Sequence, residues 1–368
     1  MNGPANSSIW VGTRKGLFAV RKGASGWEVG MPSFPGEPVS QFVRDPQTGA
    51  CYAALRLGHF GVKLWKSQDG SNGSGEWKQV ASPAFPAKPE EGEWKDDATP
   101  WNVDMIWALA AGHGTLWAGC LPAGLFKSDD GGESWALVES LWLRPERKEW
   151  MGGGYDHAGI HSIAIDPRDA NHVTIAISCG GVWQTHDGGK TWANTSKGMI
   201  ADFMPPERKE DGNIQDVHCM KMCAAESEVL WAQNHFGIYR STDAGKQWNR
   251  IGSPQPTDFG FAVAVHPRDA RTAWFVPAHS DQRRIPVDGR MVITRTRDGG
   301  DSFETIGDGL PERDAYHLVY RHALDVGDDG DTLAMGSTTG GLWVSEDGGA
   351  EWTCVSRDLP PIAVVRVA

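Results

Sequence analysis

Apolar and polar residues alternate in short runs along nearly the whole chain, and turn residues separate the runs. One stretch reads "HSIAIDP" from His161, then the turn "DPRDA", and after it "VTIAIS", "GGVWQTHDGG" and "TWANT". Alternation of this kind is typical of half-buried strands, and breaks rich in glycine and aspartate are typical of tight turns. The pattern predicts a unit of four short antiparallel strands.

The unit recurs at a period of about 55 residues. Other copies begin with "VDMIWALAAG", "VHCMKMC", "FAVAVHPRDA" and "LVYRHALDV". The chain start supplies three strands, "SIWVGT", "KGLFAVR" and "GWEVG", and the chain end supplies one, "IAVVRVA". Pairing these strands would complete a seventh sheet and remove two open sheet edges. The sequence therefore predicts an all-β, seven-bladed β-propeller, a single domain over residues 1–368, with the first blade closed by the C-terminal strand.

An eight-residue pattern marks the outer turn of each unit: Ser or Thr, any residue, Asp, Gly or Ala, Gly, two variable residues, then Trp or Phe. A sixth copy, from Ser67 to Trp77, carries three extra residues. The Asp and the hydroxyl can accept hydrogen bonds from turn N–H groups, and Gly tolerates a positive φ. We expect a structural role for this repeated turn, whose complete copies are Ser128–Trp135, Thr185–Trp192, Ser241–Trp248, Thr296–Phe303 and Ser345–Trp352.

These copies resemble those of the Asp-box, or bacterial neuraminidase repeat, propellers. With "GIHSIAIDPRDA", "QNHFGIYRSTDAG" and "DFGFAVAVHPRDA", the chain is similar to bacterial proteins described as sialidase-like or as glycosyl hydrolases. The resemblance covers nearly the whole chain and implies the propeller fold with Asp-box turns, but a fold does not settle a function. Sialidases resemble one another in an Arg-Ile-Pro motif near the start of a six-bladed propeller. Here "RRIP", with Arg284, lies in the sixth of seven blades, so sialidase activity proper is disfavoured.

Composition and charge exclude several classes of protein. The chain has 368 residues and a net charge of -12, which argues against a general binder of nucleic acid or of an anionic membrane. No apolar run is long enough for a membrane helix, and the N-terminus lacks a secretory signal pattern. Six scattered cysteines without a CxxC pair indicate reduced thiols, so we expect a cytoplasmic protein. "GGGYD" is not followed by the residues of a phosphate loop, so no nucleotide cofactor is expected.

Histidines gather at one predicted end of the channel. Aligning the units places His161, His218 and His317 at the start of innermost strands, with Asp104 as the equivalent in another blade. Loops between second and third strands at that mouth carry His59, His235 and His279. Histidine is the commonest metal ligand and can transfer protons near neutral pH. Imidazoles from different blades would suit Zn, Fe, Cu, Ni or Mn, and the predicted metal ligands are His161, His218, His235 and His317.

Other mouth residues complete the prediction. The catalytic candidates are three of these histidines and three neighbours, which are His161, His218, His317, Asp104, Asp156 and Tyr155. Asp216 is a further carboxylate near the mouth. The candidates for substrate binding are aromatic, cationic or hydrogen-bonding side chains of the mouth loops, which are Arg56, His59, Trp101, Phe236, His279 and Arg284. Arg14 and Arg313 join Arg56 and Arg284 as candidates for an anion clamp. Three long connections, residues 81–101, 142–157 and 200–215, lead into blades three, four and five at this mouth.

Three functional hypotheses follow. The leading one is an enzyme with a His-rich metal site at the mouth, with hydrolysis of a small molecule favoured over oxidation. The second is a metal-free, sialidase-like glycoside hydrolase that uses carboxylates and Tyr. The third is a non-catalytic binding or assembly propeller. The expected partner is a small-molecule or glycan substrate, with no nucleic acid and no membrane, and the oligomeric state stays open.

Overall fold

A computed structural model describes residues 8–68, 75–252 and 254–368. Its strands form seven antiparallel sheets of four strands each. The sheets are the blades of a seven-bladed β-propeller, as the alternation predicts. Blades two to seven each begin with the innermost strand beside the central channel and end with an outer strand, whereas the innermost strand of the first blade is the last strand of the chain.

The first four blades follow the chain order. Blade one contains β1 (Ser8–Thr13), β2 (Gly16–Gly23) and β3 (Gly26–Val29). Blade two contains β4 (Val39–Arg44), β5 (Cys51–Arg56), β6 (Val62–Ser67) and β7 (Lys78–Val80). Blade three contains β8 (Met105–Gly112), β9 (Thr115–Leu121), β10 (Leu125–Ser128) and β11 (Ala136–Leu137). Blade four contains β12 (Ile160–Ile165), β13 (Val173–Ile177), β14 (Gly181–Thr185) and β15 (Ala193–Asn194).

The remaining strands form the last three blades and the closing strand. Blade five contains β16 (Val217–Met222), β17 (Leu230–Asn234), β18 (Gly237–Ser241) and β19 (Asn249–Arg250). Blade six contains β20 (Gly260–Val265), β21 (Ala273–Pro277), β22 (Ile293–Thr296) and β23 (Glu304–Ile306). Blade seven contains β24 (Leu324–Val326), β25 (Leu333–Gly336), β26 (Leu342–Ser345) and β27 (Thr353–Ser356), and β28 (Ile362–Val367) returns to blade one.

Helical segments are short and lie in the connections. The one α-helix among the described residues is α1 (Glu139–Trp142). Five 3-10 turns occupy Gly58–Phe60, Pro145–Glu149, Pro206–Arg208, Gly212–Ile214 and Val287–Gly289. Most of these turns belong to the long connections, so the connections wrap the propeller without adding a second layer of helices.

The two ends of the chain share one blade. β28 pairs antiparallel with β1, with Val11 opposite Val365 and Gly12 opposite Val364. Val11, Val364 and Val365 are all fully buried. A Cβ on Gly12 would lie 2.5 Å from a methyl carbon of Val364, so a glycine is needed for this close approach. The predicted closure of the first blade by the C-terminal strand is confirmed.

The repeated turn has the same hydrogen bonds wherever it is described in full. In blade three, the Ser128 hydroxyl donates to the Asp130 carboxylate at 2.8 Å and accepts the Gly132 N–H at 2.9 Å. The Ser134 N–H donates to Asp130 at 2.9 Å. These bonds hold the pKa of Asp130 below its ordinary value, and the geometry supports a structural role. The copy that contains Asp69 lies outside the described residues.

Blade seven departs from the predicted register. Its innermost strand begins at Leu324, whereas the apolar run "LVYRHALDV" predicted a strand that begins beside His317. A turn interrupts the run, because the Ala323 N–H donates to the Tyr320 carbonyl at 2.8 Å. Leu318 is buried without belonging to a strand. The prediction that His317 opens an inner strand level with His161 and His218 is therefore wrong.

Candidate functional site

A β-bulge recurs near the mouth end of six innermost strands. In blades two to five, one residue of the innermost strand has no partner on the next strand, and blades one and six show similar register shifts. A bulge turns the unpaired side chain away from the regular pleat. The unpaired residues of blades two to five are Ser40, Trp107, His161 and His218. His161 and His218 therefore occupy equivalent positions, as the alignment predicts. The prediction that Asp104 is their equivalent in blade three is wrong, because the unpaired residue there is Trp107 and Asp104 precedes the strand.

Asp216, His218 and His235 form a compact group at the mouth end of blade five. Val217 pairs with Asn234, and one step further out the His235 N–H donates to the Asp216 carbonyl at 2.9 Å. This pairing brings the two side chains together, so that His235 Nδ1 lies 3.1 Å from Asp216 Oδ2. His218 Nε2 lies 3.6 Å from the same oxygen. Among the described residues, this is the one group of three His, Cys, Asp or Glu side chains placed to hold a metal ion.

The imidazole of His218 lies between two hydrogen-bond acceptors. Its Nδ1 donates to the Gly260 carbonyl at 2.7 Å, and its Nε2 faces Asp216. Burial lowers the pKa of His218, although Asp216 opposes the effect. Burial alone would raise the pKa of Asp216, but His218 and His235 outweigh it and keep that pKa below its ordinary value. Burial therefore favours the neutral imidazole of His218, and the Asp216 carboxylate beside it is ionised at neutral pH.

Aromatic rings surround the two histidines on several sides. The ring of Phe261 stacks on His218 at a centroid distance of 4.5 Å, and Phe259 packs edge-on at 5.6 Å. Phe236 lies 4.7 Å from His235, and Phe203 lies 6.1 Å from it. These rings exclude water from His218, while the His235 side chain keeps 21% of its surface exposed. The group is thus dry on one side and open on the other.

One oxygen of Asp216 has no hydrogen-bond partner. Asp216 Oδ1 is buried, and the backbone of Gly153 passes close to it, since a Cβ at Gly153 would lie 3.0 Å from that oxygen. Burial, with Asp216 nearby, raises the pKa of the Cys179 thiol above its ordinary value. Cys179 has a φ of 43°, a left-handed conformation that is uncommon outside glycine. Such backbone conformations are concentrated at functional sites.

A cavity of about 480 Å³ opens beside this group. Gly153 lines it and also lies close to the unpaired oxygen of Asp216, although Asp216, His218 and His235 are not themselves among its lining residues. Its polar wall consists of arginines and tyrosines contributed by several blades, which are Arg14, Arg56, Arg284, Arg321, Tyr155 and Tyr320. Its apolar wall includes Met105, Trp107 and Ile362. We call this space the mouth cavity.

A second cavity, of about 280 Å³, lies along the inner strands. His161 and His322 line it, and His322 lines the mouth cavity as well. His322 Nε2 donates to the His161 carbonyl at 2.7 Å, and His161 Nε2 is buried without a partner. Burial lowers the pKa of both imidazoles well below its ordinary value. Both side chains are therefore neutral components of the channel wall at pH 7.

Two of the four predicted metal ligands, His218 and His235, lie together in the structure. The third member of their group is Asp216 rather than His161 or His317. His161 lies outside the group, with Nδ1 2.9 Å from the Ser162 hydroxyl. His317 lies apart, because its inner strand begins later than predicted. Its Nδ1 lies 2.5 Å from the Thr339 hydroxyl oxygen, and its ring packs edge-on against Trp343.

The other predicted residues divide between the mouth cavity and its surroundings. Tyr155 lines the cavity, and Arg56, also in its wall, pairs with Asp104 at 2.6 Å. Arg284 lines the cavity and pairs with Asp281 at 2.5 Å. The candidates that lie elsewhere are His59, exposed beside Phe60; Asp156, exposed in its loop; His279, also exposed; Phe236, beside His235; and Trp101, whose indole N–H donates to Asp97.

Sequence reasoning missed Arg321, Tyr320 and His322 as mouth residues. Arg321 and His322 were hidden inside an apolar run that predicted one continuous strand. The polar pair "RH" within that run was the available signal, because an arginine is rarely buried in a strand without a partner. Arg313, the fourth candidate for an anion clamp, does not line the mouth cavity.

The comparison with known proteins finds a relative that matches a short segment of the chain. No protein-family profile matches the chain. A probable oligoxyloglucan-reducing end-specific xyloglucanase of Neosartorya fischeri is 27% identical over 106 residues. That match covers 28% of this chain and 12% of the relative. The chain therefore spans only a small part of this relative's length.

Solved structures share the fold. An ancestral GH74 enzyme superposes with a TM-score of 0.58 at 18% identity, covering 91% of this chain and 37% of that protein. YCF48 from Cyanidioschyzon merolae has a TM-score of 0.56 at 14% identity, covering 86% of this chain and 84% of its own. YCF48 bound to D1 peptide has a TM-score of 0.53 at 13% identity, with coverage of 95% and 93%. At these identities the likeness is one of fold.

Among the described residues, no helix combines the length and the apolar character needed to cross a bilayer.

Proposed function

We propose that the channel mouth is the active site of a hydrolase acting on a small molecule, and that Asp216, His218 and His235 hold a transition-metal ion there. The observation that carries the proposal is the position of His218 between the Gly260 carbonyl and the Asp216 carboxylate. His161 and His317, predicted as ligands, are not part of this proposal.

A neutral imidazole has one N–H and one lone pair. The carbonyl of Gly260 can only accept, so Nδ1 of His218 carries the hydrogen. The lone pair on Nε2 then faces an ionised carboxylate at 3.6 Å, and this approach is unfavourable unless a cation lies between the two atoms. Protonation of His218 would relieve the repulsion, but burial lowers its pKa. A metal ion would satisfy both groups.

The residues suit such an ion chemically. Imidazole nitrogen and carboxylate oxygen are common ligands of Zn²⁺ and other first-row metals. A ligating histidine typically donates its other N–H to a carbonyl or carboxylate, as His218 does to Gly260. Three protein ligands leave room for water or substrate, and a bound ion would supply activated water for hydrolysis. The exposed side of His235 faces the open part of the site.

Metal analysis tests the proposal. We expect purified protein to retain close to one equivalent of a first-row metal after dialysis, and a chelator to remove it. His218→Ala and Asp216→Asn should each weaken the binding of Zn²⁺, measured by titration, by about 100-fold or more, because each removes a ligand. His317→Ala is the matched control and should bind like wild type. Absence of tight binding by any of these metals would contradict the proposal.

Activity is tested on the same proteins. Wild type is assayed against p-nitrophenyl esters and phosphate esters, with and without chelator. Hydrolysis that disappears with chelation and in His218→Ala, but persists in His317→Ala, supports the proposal. Hydrolysis that is indifferent to chelation would place the chemistry elsewhere.

A metal-free glycoside hydrolase is the second candidate. It is favoured by the segment shared with a probable xyloglucanase, by the Asp-box-like repeated turns and by the tyrosines and arginines of the mouth cavity. Cleavage of xyloglucan oligosaccharides or of a fluorogenic sialoside in the presence of chelator would support this candidate. Peptide capture without turnover would support the binding propeller instead, a role suggested by the YCF48 complex with D1 peptide.

The proposal places the protein in the cytoplasm. All six cysteines are free thiols, and reduced thiols are the rule in reducing compartments. Fractionation of cells that express the full natural gene checks this location, and recovery from the exported fraction would contradict it.

A further inference from the structure

Four arginines converge on the mouth cavity of a chain whose net charge is -12. Arg56 and Arg284 already have carboxylate partners in Asp104 and Asp281. The side chains of Arg14 and Arg321 make no ion pair or hydrogen bond with the part of the chain that the structure describes. The arginine wall therefore carries more positive charge than its carboxylate partners neutralise.

Arg321 is the strongest sign that an anion belongs in this cavity. The residue is 6% exposed, and its Nε is buried without a hydrogen-bond partner. Its guanidinium lies over the rings of Trp107, at 4.8 Å, and Phe261, at 5.6 Å. A guanidinium stays charged in proteins, and a buried charge without a partner is costly. Stacking on aromatic rings offsets only part of this cost.

Asp216 does not supply the missing partner. It contributes to the electrostatic surroundings of Arg321, but its Oδ2 is engaged by His235 and no ion pair joins it to the guanidinium. Planar guanidinium groups bind carboxylate and phosphate oxygens in bidentate geometry. An incoming oxyanion would therefore meet donors that have no other partner.

The apolar wall of the mouth cavity lies next to the arginines, since Arg321 stacks on Trp107. Val39, Met105, Trp107 and Ile362 contribute to it, and the phenol rings of Tyr155 and Tyr320 lie beside the arginines. A purely ionic ligand would leave this surface uncovered. A ligand with an anionic head and an apolar body would use both walls.

We propose that the mouth cavity binds a small amphipathic oxyanion, a carboxylate or a phosphate ester on an aromatic or apolar body, through Arg321 and Arg14. The inference rests on the proposed function only in taking this ligand as the substrate; the binding itself needs no metal. Gly153 links the two sites, because its backbone lines the cavity and faces Asp216 Oδ1. A ligand held by the arginines would therefore be separated from Asp216 by the backbone of Gly153.

Calorimetric titration with benzoate, phenyl phosphate and uncharged benzyl alcohol tests the inference on the full-length protein. With chelator-treated protein, we expect at least one of the two anions to bind about tenfold or more tightly than benzyl alcohol. Whichever anion binds more tightly identifies the head group. Arg14→Gln and Arg321→Gln should each weaken the binding of that anion about tenfold. The variants Arg283→Gln and Arg313→Gln, at exposed arginines outside the cavity lining, should leave its affinity unchanged.

The outcomes separate the two proposals. If Arg321→Gln does not fold, two other variants test the role of the positive charge. Arg14→Gln removes one cation from the cavity, and Arg321→Lys keeps the charge without the planar guanidinium. Anion binding that depends on the arginines in a protein without tight metal binding would uphold this inference and contradict the metal proposal. Equal affinity for benzyl alcohol, or no effect of the Arg14 variant, would overturn the inference. Binding seen only with metal-loaded protein would also overturn it, because the ion would then be the anion's partner.

Discussion

The guanidinium of Arg147 lies 2.6 Å from the carboxylate of Asp97, and both side chains are almost fully buried, with 3% and 5% of their surfaces exposed. Arg147 also stacks on Trp142 at 3.8 Å and on Trp94 at 4.4 Å. Asp97 accepts a further bond from the Trp101 indole. The pair joins the long connections that lead into blades three and four, and so anchors two loops that reach the mouth.

Breaking this pair should destabilise the protein. Arg147→Ala should lower the free energy of unfolding by about 3–5 kcal/mol, because it leaves the Asp97 charge buried without a partner. The neighbouring Lys148→Ala is the matched control, since Lys148 pairs with Glu93 on the exposed surface. That exposed pair should contribute about 0–1 kcal/mol. Urea unfolding measures both values, and equal losses would show that burial of the Arg147 pair is unimportant.

Removal of the C-terminal strand should unfold the propeller. A chain ending at Pro361 lacks β28, so the hydrogen-bonding edge of β1 becomes exposed beside the channel. The same truncation removes the buried side chains of Val364 and Val365. We expect loss of the cooperative thermal transition or aggregation on expression. Deletion of Ala368 alone is the control and should retain the transition. A truncated chain with normal melting would contradict the closure.

The repeated turn should affect stability without affecting the site. Asp298 accepts the Ser302 N–H at 2.9 Å and the Ser302 hydroxyl at 2.5 Å. Asp298→Ala leaves these donors to water and should lower the melting temperature by a few degrees. Asp301→Ala, in the variable part of the same turn, should change it much less. Both variants should titrate metal like wild type, and a loss of metal binding by Asp298→Ala would contradict a structural role.

Acid should destabilise the fold through buried histidines. Burial, with Arg321 nearby, lowers the pKa of His161, and burial, with Arg366 nearby, lowers that of His322. Below about pH 6.5 the unfolded chain binds protons that the folded chain does not, so stability falls as the pH falls. Each histidine contributes up to about 1.4 kcal/mol per pH unit. Urea unfolding of metal-free protein at several pH values measures the slope.

A variant assigns part of that slope to one residue. His161→Gln should make the pH dependence shallower by about one histidine's share, because the glutamine side chain does not titrate. His59→Gln, on the exposed turn Gly58–Phe60, serves as the control. An unchanged slope in His161→Gln would show that His161 is protonated with equal ease in both states.

The blades were predictable because their signals are local. Alternation along "HSIAIDP" and the turn chemistry at Asp130 or Asp187 act between residues that are close in sequence. The closure followed from an unpaired strand at each end of the chain. The same local logic placed His161 and His218 at equivalent positions, and the recurring bulge confirms their alignment.

The register of blade seven was not predictable in this way. "LVYRHALDV" has the composition of a strand, yet a turn at Tyr320–Ala323 moves His317 out of the inner row and brings Arg321 and His322 to the channel. Apolar content marks which residues are buried but does not distinguish a strand from a buried irregular segment. Packing against neighbouring blades decided between the two.

By itself, the sequence determined the class of fold, the number of blades, the closure and the positions of the repeated turns, because period-two alternation and turn chemistry depend on near neighbours. Only the tertiary structure decided that Asp216 joins His218 and His235, and that Arg321 and Arg14 line the same cavity. These meetings join side chains from different strands or different blades. Their distances depend on strand register, on the position of each bulge and on the rotation from blade to blade, which no local pattern along the chain encodes.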